Sequence, residues 1–171
     1  MNKQLDIQIT DQNSLFDACD YLHDAEFTRQ DVIQTGLSEL SIVCERDVME
    51  NPDLVVRTRT LIPGFFRVSY PIARTRLTLN ALKNISPEGE NDYENGFFNE
   101  IRHNEGTYKI VATPISWNIE FENVPKGRLQ DIELLSKRTE SIESNNMGLL
   151  IIIGGLIIAL GTVIFLTTAS A

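Results

Sequence analysis

Two neighbouring residues near the predicted end of the first helix, His23 and Asp24, are the clearest pair able to move a proton. A helix C-terminus and an adjacent carboxylate both favour a charged histidine, so the pair has the composition of a general base. Catalysis also needs a nucleophile or a second acid, and the surrounding LFDACDYLHDAEF supplies none. The alternative is a helix cap, in which His23 bonds the last helical carbonyls and Asp24 begins the next turn. A ligand-binding role is the third reading.

The sequence contains no Walker-type glycine loop and no GxSxG, CxxC or HExxH motif. The only other histidine, His103, is far from His23 in the chain, and a metal site needs more ligands at ordered spacing. Cys19 and Cys44 stand apart among apolar residues, as small core residues do. We therefore expect no metal, no cofactor and no enzymatic activity.

Four arginines are candidates for binding an anionic ligand or a partner's carboxylates: Arg57, Arg59, Arg74 and Arg76. Alternation places the first two on one face of their strand and the last two on one face of theirs. If the strands pair, the four form a cationic stripe suited to bidentate contacts. The alternative is a solvated sheet face paired with Glu and Asp, with the acidic loop at 88–94 as one internal partner.

The elements that must position these residues follow from hydrophobic periodicity. Residues 4–9 alternate as a short strand, and Thr10 or Asp11 then caps a helix whose apolar stripe runs from Leu15 to Leu22. The next hundred residues read as β-strands, including a hairpin over 97–113 and a strand at 116–122. The fold class predicted is α+β: an N-terminal helix packed on a mainly antiparallel sheet, plus one C-terminal transmembrane helix.

The segment from Leu15 to Phe27, followed by alternating β segments, resembles small bacterial α+β domains of unassigned function that have an L-H-D-A turn after the first helix. Leu22, His23, Asp24 and Ala25 carry the resemblance, which covers about residues 5–45. It implies a fold and no activity.

The C-terminal run MGLLIIIGGLIIALGTVIFL has the length and apolarity of a membrane span. We predict a cytoplasmic α+β domain over 1–126, a short helix and polar linker over 127–146, a transmembrane helix over 147–168 and a short tail over 169–171. Small residues on one face of that helix favour packing against another transmembrane helix: Gly148, Gly155, Ala159 and Thr162.

Charge and flanking residues predict the location. The N-terminus has no signal peptide, and Lys and Arg precede the apolar run while none follows it, so the N-terminal domain is expected to be cytoplasmic and the membrane to be the bacterial inner membrane. A net charge of −9 without a basic run excludes nucleic-acid binding.

Together these features predict a non-catalytic, single-pass accessory subunit or adaptor of a larger membrane protein complex. Its partners would be other membrane subunits, contacted through the helix and the cytoplasmic domain, and the lipid bilayer. The alternative is a membrane-tethered binding module for a small anionic ligand. The third reading is an enzyme that uses His23 and Asp24.

Overall fold

The computed structural model describes residues 4–88, 95–114, 116–121 and 123–144. The chain divides into two compact units, which are described separately here. The first unit comprises Met1–Asn51 and Pro71–Arg138, and the second comprises Pro52–Tyr70 and Thr139–Ala171.

The described residues form one α-helix, α1 (Gln12–Asp20), and eleven β-strands. The strands are β1 (Asp6–Ile9), β2 (Glu26–Thr28), β3 (Val32–Thr35), β4 (Glu39–Asp47), β5 (Val56–Arg59), β6 (Phe65–Asn80), β7 (Leu82–Glu88), β8 (Asn95–Asn104), β9 (Thr107–Thr113), β10 (Ser116–Phe121) and β11 (Gly127–Ser144). Two short 3-10 turns, at Arg29–Asp31 and Pro52–Leu54, interrupt the run of strands.

The first unit is built on a mostly antiparallel sheet with the strand order β1-β11-β6-β4-β2-β8-β9-β10-β7. β3 pairs with β4 beyond the turn at Arg29–Asp31, so β2 and β3 share one edge of β4. β4 and β6 pair over nine positions, from Glu39↔Asn80 to Asp47↔Ile72. Gly127 is required where β11 begins, because a Cβ there would lie 1.8 Å from the Thr78 carbonyl oxygen.

One hydrophobic core serves the first unit. Strict alternation in β4 directs Leu40, Ile42 and Cys44 inward, as period-2 patterning requires. Helix α1 adds Leu15, Ala18 and Cys19 to the same cluster. The largest fully buried side chains are Phe27, Phe98, Ile9, Leu15, Leu22, Leu40, Ile42, Leu77, Leu79, Ile110 and Ile119.

Several predicted elements are confirmed. Helix α1 begins after Asp11, whose carboxylate accepts from the Ser14 N–H at 2.8 Å while the Ser14 hydroxyl accepts from the Asp11 N–H at 3.0 Å. This reciprocal cap satisfies two otherwise unpaired donors. The hairpin at 97–113 is β8 and β9, and the strand predicted at 116–122 is β10. Both cysteines are buried, as expected.

The predicted α+β class is wrong. Strands make up 66% of the described residues, and α1 is the one helix of seven residues or more among them. The apolar stripe from Leu15 to Leu22 predicts a helix, and the structure has one of nine residues, which ends at Asp20 before Leu22. One short helix that joins the core of a large antiparallel sheet makes the domain mainly β.

The short helix predicted within 127–146 is also wrong, because Gly127–Ser144 forms the strand β11. Leu129 and Ile132 are three positions apart, a spacing that is also typical of one face of a helix. Cross-strand pairing overrides that local signal: Leu129 lies opposite Ile7 of β1 and is fully buried. The predicted domain boundaries themselves stay predictions.

The single-pass membrane assignment is corrected as well. In the part of the chain that the structure describes, no helix is both long and apolar enough to cross a membrane. At 1.5 Å per residue the nine residues of α1 extend about 14 Å, against the roughly 30 Å of a bilayer core. The predicted span 147–168, with Gly148, Gly155, Ala159 and Thr162, lies outside the described residues. The predicted membrane location with a cytoplasmic N-terminal domain is therefore withdrawn.

The described part of the second unit comprises the 3-10 turn at Pro52–Leu54, a hairpin and the end of β11. β5 pairs with residues 66–69 of β6, in antiparallel register from Val56↔Ser69 to Arg59↔Phe66. We call residues 56–69 the docking hairpin. Its turn is formed by Ile62, Pro63, Gly64 and Phe65.

Candidate functional site

The predicted proton-transfer pair lies on the surface of the first unit. His23 Nδ1 is 2.9 Å from Asp24 Oδ2, and the two side chains are 63% and 80% exposed. Asp24 has a positive φ of 64°, and its N–H donates to the Phe98 carbonyl at 2.7 Å. The pair thus lies at the turn after α1, where water solvates both groups. An exposed contact of this kind contributes little to stability and has no desolvated cleft in which to act.

The predicted arginine stripe is divided between the two units. Arg57 and Arg59 lie on β5 in the second unit, opposite Val68 and Phe66. Arg74 and Arg76 lie on β6 in the first unit, opposite Glu45 and Val43 of β4. Because β5 pairs with residues 66–69, its arginines are not cross-strand neighbours of Arg74 and Arg76. The acidic loop proposed as their partner lies almost wholly outside the described residues.

The surroundings of Arg74 do not favour a small anion. A cavity of about 330 Å³ beside it is also lined by Lys137 and by three carboxylates, those of Glu26, Asp31 and Glu45. Lys137 is ion-paired with Glu45. Three negative charges against two positive charges would repel an anionic ligand.

The arginines of the docking hairpin differ in their pairing. Arg57 is ion-paired with Glu143 and stacks over the Phe66 ring at 5.7 Å. Arg67 lies 3.8 Å from Glu140. Arg59 is exposed and has no ion pair within the described residues. Arg57 thus lies on a solvated, paired face, whereas Arg59 is not paired with a carboxylate among the described residues.

The turn of the docking hairpin is held by several hydrogen bonds. The Phe65 N–H donates to the Ile62 carbonyl at 3.2 Å, which closes a β-turn with Pro63 and Gly64 at its centre. Gly64 has a φ of +83°, the conformation that a type II turn requires after proline. The Thr60 N–H donates to the Phe65 carbonyl at 3.2 Å. The turn is therefore well defined.

This well-ordered turn exposes large apolar side chains. Leu61 is fully exposed, and Ile62 and Val56 are 55% and 53% exposed. Ile142, in the same unit, is 71% exposed. Of the large apolar residues described in the second unit, only Val68 is fully buried. Large apolar side chains that are exposed on a defined turn are candidates for contact with another molecule.

Sequence reasoning missed the exposed apolar side chains of the docking hairpin, although a signal was present. Turns between strands are usually polar, because their residues meet water. Here LIPGFF places Leu61, Ile62, Phe65 and Phe66 directly around a Pro-Gly turn. Large apolar residues at a predicted turn are the signal that would have identified this surface.

A buried ionic cluster in the first unit was missed too. Arg46 is 3% exposed, and its Nη2 nitrogen donates to Asp131 at 3.0 Å and to Glu50 at 2.7 Å. Its Nε donates to the Thr75 hydroxyl at 3.1 Å, and that hydroxyl donates to Asp131 at 2.7 Å. Asp131 also accepts from the Leu5 N–H at 3.0 Å. The cluster thus links β4, β6, β11 and the residue before β1.

The inward direction of Arg46 follows from the alternation of side chains along β4. Leu40, Ile42 and Cys44 face the core, and Arg46 is the next residue at period 2. All five N–H groups of the Arg46 guanidinium have acceptors, since Nη1 donates to the Asp47 carbonyl and to Glu50. Burial lowers the pKa of Arg46, but the hydrogen bonds and charges of Glu50 and Asp131 outweigh it and raise the pKa. The cluster is fully bonded and is structural.

The chain matches no protein-family model, no curated protein and no solved structure with which it was compared. The resemblance of residues 5–45 to bacterial domains with an L-H-D-A turn therefore stays a prediction.

Proposed function

We propose that this chain is a non-catalytic adaptor that binds a partner protein through the docking hairpin. The observation that carries the proposal is the fully exposed Leu61 on a hydrogen-bonded turn, next to the exposed Ile62. Burying a leucine side chain against a partner contributes about 1.5–3 kcal/mol, so a few such residues supply useful affinity. A defined turn adds to this, because less conformational entropy is lost on binding.

The chemistry of the remaining candidates supports a binding role over a catalytic one. His23 and Asp24 are solvated, as described above. Burial raises the pKa of Cys19 and of Cys44 to about 12, so both thiols are protonated at neutral pH. A protonated, buried thiol is a poor nucleophile.

Selective loss of a partner tests the proposal. Full-length wild-type chain, Leu61→Ser and Leu37→Ser would be expressed in the source cells, crosslinked and purified, and the associated proteins quantified. Leu37 is a matched control, because it is 94% exposed on the β3–β4 hairpin of the first unit. We expect a stoichiometric partner with wild type and Leu37→Ser that is lost with Leu61→Ser. A set of associated proteins that is the same for all three chains contradicts the proposal.

Two other occupants of the hairpin surface give different results. If a second copy covers it, light scattering will show a dimer of the purified wild-type chain that becomes a monomer in Leu61→Ser. If residues 145–171 of the same chain cover it, the thiol introduced by Leu61→Cys will react with a maleimide much more slowly than that of Leu37→Cys. The maleimide measurement is feasible because both native cysteines are buried. Either result would overturn the proposal of a separate partner.

A further inference from the structure

A cavity of about 300 Å³ lies at the turn of the docking hairpin. Its walls are mainly apolar and come from Ile62, Pro63, Phe65 and Phe66. Arg59 is also part of the lining. The space is enough for one large apolar side chain, and aromatic walls favour such an occupant.

Arg59 gives this cavity a charged rim. It lies directly opposite Phe66 in the β5–β6 register, so the two side chains share one face of the hairpin. Arg57 and Arg67 are paired with Glu143 and Glu140, whereas Arg59 has no ion pair in the described parts of the chain. A guanidinium beside an apolar surface pairs well with a carboxylate, because it can donate two parallel hydrogen bonds.

The local charge favours an acidic partner. Between Leu54 and Asn80 the sequence contains five arginines and no acidic residue, although the whole chain carries a net charge of −9. The docking hairpin itself contributes three of these arginines, Arg57, Arg59 and Arg67. Because Arg57 and Arg67 are paired with Glu143 and Glu140, the charge that the described residues of the hairpin leave for a partner is that of Arg59, which attracts carboxylates and repels basic segments.

We infer that the cavity binds a segment of the partner protein in which a large apolar side chain stands next to an Asp or Glu. The apolar side chain enters the cavity beside Phe66, and the neighbouring carboxylate pairs with Arg59. This inference rests on the proposed function, since it specifies the chemistry of the partner that the docking hairpin binds.

Selection from random peptides displayed on phage tests the inference without knowledge of the partner. The immobilised full-length chain would be compared with Arg59→Gln and with Arg76→Gln. Arg76 is a matched control, because it is an exposed arginine of the first unit without an ion pair in the described residues. Circular dichroism would verify that all three chains are folded.

We expect wild type and Arg76→Gln to enrich peptides with a large apolar residue adjacent to Asp or Glu. Arg59→Gln should lose the preference for the acidic residue. For one enriched peptide, fluorescence polarisation should show affinity about tenfold weaker with Arg59→Gln, which corresponds to one charge-assisted contact. Added salt should weaken wild type more than Arg59→Gln.

Three results would overturn the inference: no enrichment, enrichment without an acidic preference, or the same acidic preference with Arg59→Gln. Its failure is distinguishable from failure of the proposed function. A cellular partner that depends on Leu61 but shows no dependence on Arg59 leaves the adaptor in place and removes only the acidic segment. If peptides depend on Arg59 but no cellular partner depends on Leu61, the adaptor function is contradicted and only the preference of the cavity for acidic segments is supported.

Discussion

The two units of this chain treat apolar and charged groups in opposite ways. In the first unit, α1 and the strands bury one continuous core, and even a guanidinium is buried with acceptors for all its donors. In the described second unit, Val68 is fully buried while Leu61, Ile62, Val56 and Ile142 are exposed. Its ion pairs are also exposed, as between Arg67 and Glu140.

This difference separates what stabilises the fold from what is available for binding. Buried apolar area and satisfied buried charges stabilise the native state, whereas exposed apolar side chains contribute only when another molecule covers them. We therefore expect substitutions in the first unit to change the free energy of unfolding. Comparable substitutions in the docking hairpin should change binding and leave stability nearly unchanged.

The largest effect is expected for Asp131→Ala, which removes one carboxylate from the buried cluster and leaves Arg46 undercompensated. Removing one partner of a buried pair costs about 3–5 kcal/mol. In the second unit, Glu140→Ala removes the exposed partner of Arg67 and should cost at most about 1 kcal/mol. Urea unfolding followed by circular dichroism measures both.

A double variant sharpens this result. Arg46→Met combined with Asp131→Leu replaces the two most buried charges of the cluster with apolar side chains. The double variant should therefore be more stable than Asp131→Ala alone. If Asp131→Ala and Glu140→Ala cost the same, the contrast between a buried and an exposed ionic arrangement does not hold.

Two leucines test the same contrast for apolar groups. Leu77 on β6 is fully buried in the core, and Leu77→Ala should cost about 2–5 kcal/mol. Leu61→Ala on the docking hairpin should change stability by no more than about 0.5 kcal/mol. Urea unfolding monitored by the single tryptophan, Trp117, gives the first value. Amide hydrogen exchange at residues 56–69 gives the second. A large loss of protection in Leu61→Ala would mean that Leu61 is part of a core.

Local rules predicted much of the first unit. The cap at Asp11, the helical stripe from Leu15 and the alternation of β4 depend on neighbours in sequence, and all three were readable. The β11 strand was not, because its pairing with β1 joins residues that are more than a hundred positions apart. Arg46 and Asp131 are 85 positions apart, and this separation likewise explains why the two were not linked.

The candidate site was harder to predict for a different reason. Arg57 and Arg59 were identified as possible binding residues, but their register with β6 separates them from Arg74 and Arg76. Which arginines are paired with a carboxylate among the described residues depends on the tertiary contacts of Glu140 and Glu143. Exposure of Leu61 likewise follows from the turn geometry and not from its residue type.

The smallest expected effect is a difference in acid sensitivity between two glutamates. Burial raises the pKa of Glu50, but hydrogen bonds from Arg46 outweigh it, so the pKa lies below the ordinary value of 4.5. In the second unit, the hydrogen bonds from Tyr70 and Arg57 lower the pKa of Glu143. A carboxyl whose pKa is lower in the folded state stabilises the fold above its unfolded pKa. That contribution is lost as the pH falls through the folded pKa.

Wild type should therefore lose more stability than Glu50→Gln between about pH 6 and about pH 3, because the substituted amide does not titrate. Glu143→Gln should follow the wild-type profile closely, since water and salt screen an exposed pair. Urea midpoints of the three chains across this pH range make the comparison. A flatter profile for Glu143→Gln than for Glu50→Gln would reverse the assignment, and would mean that the ionic contacts of the second unit are the more strongly coupled to folding.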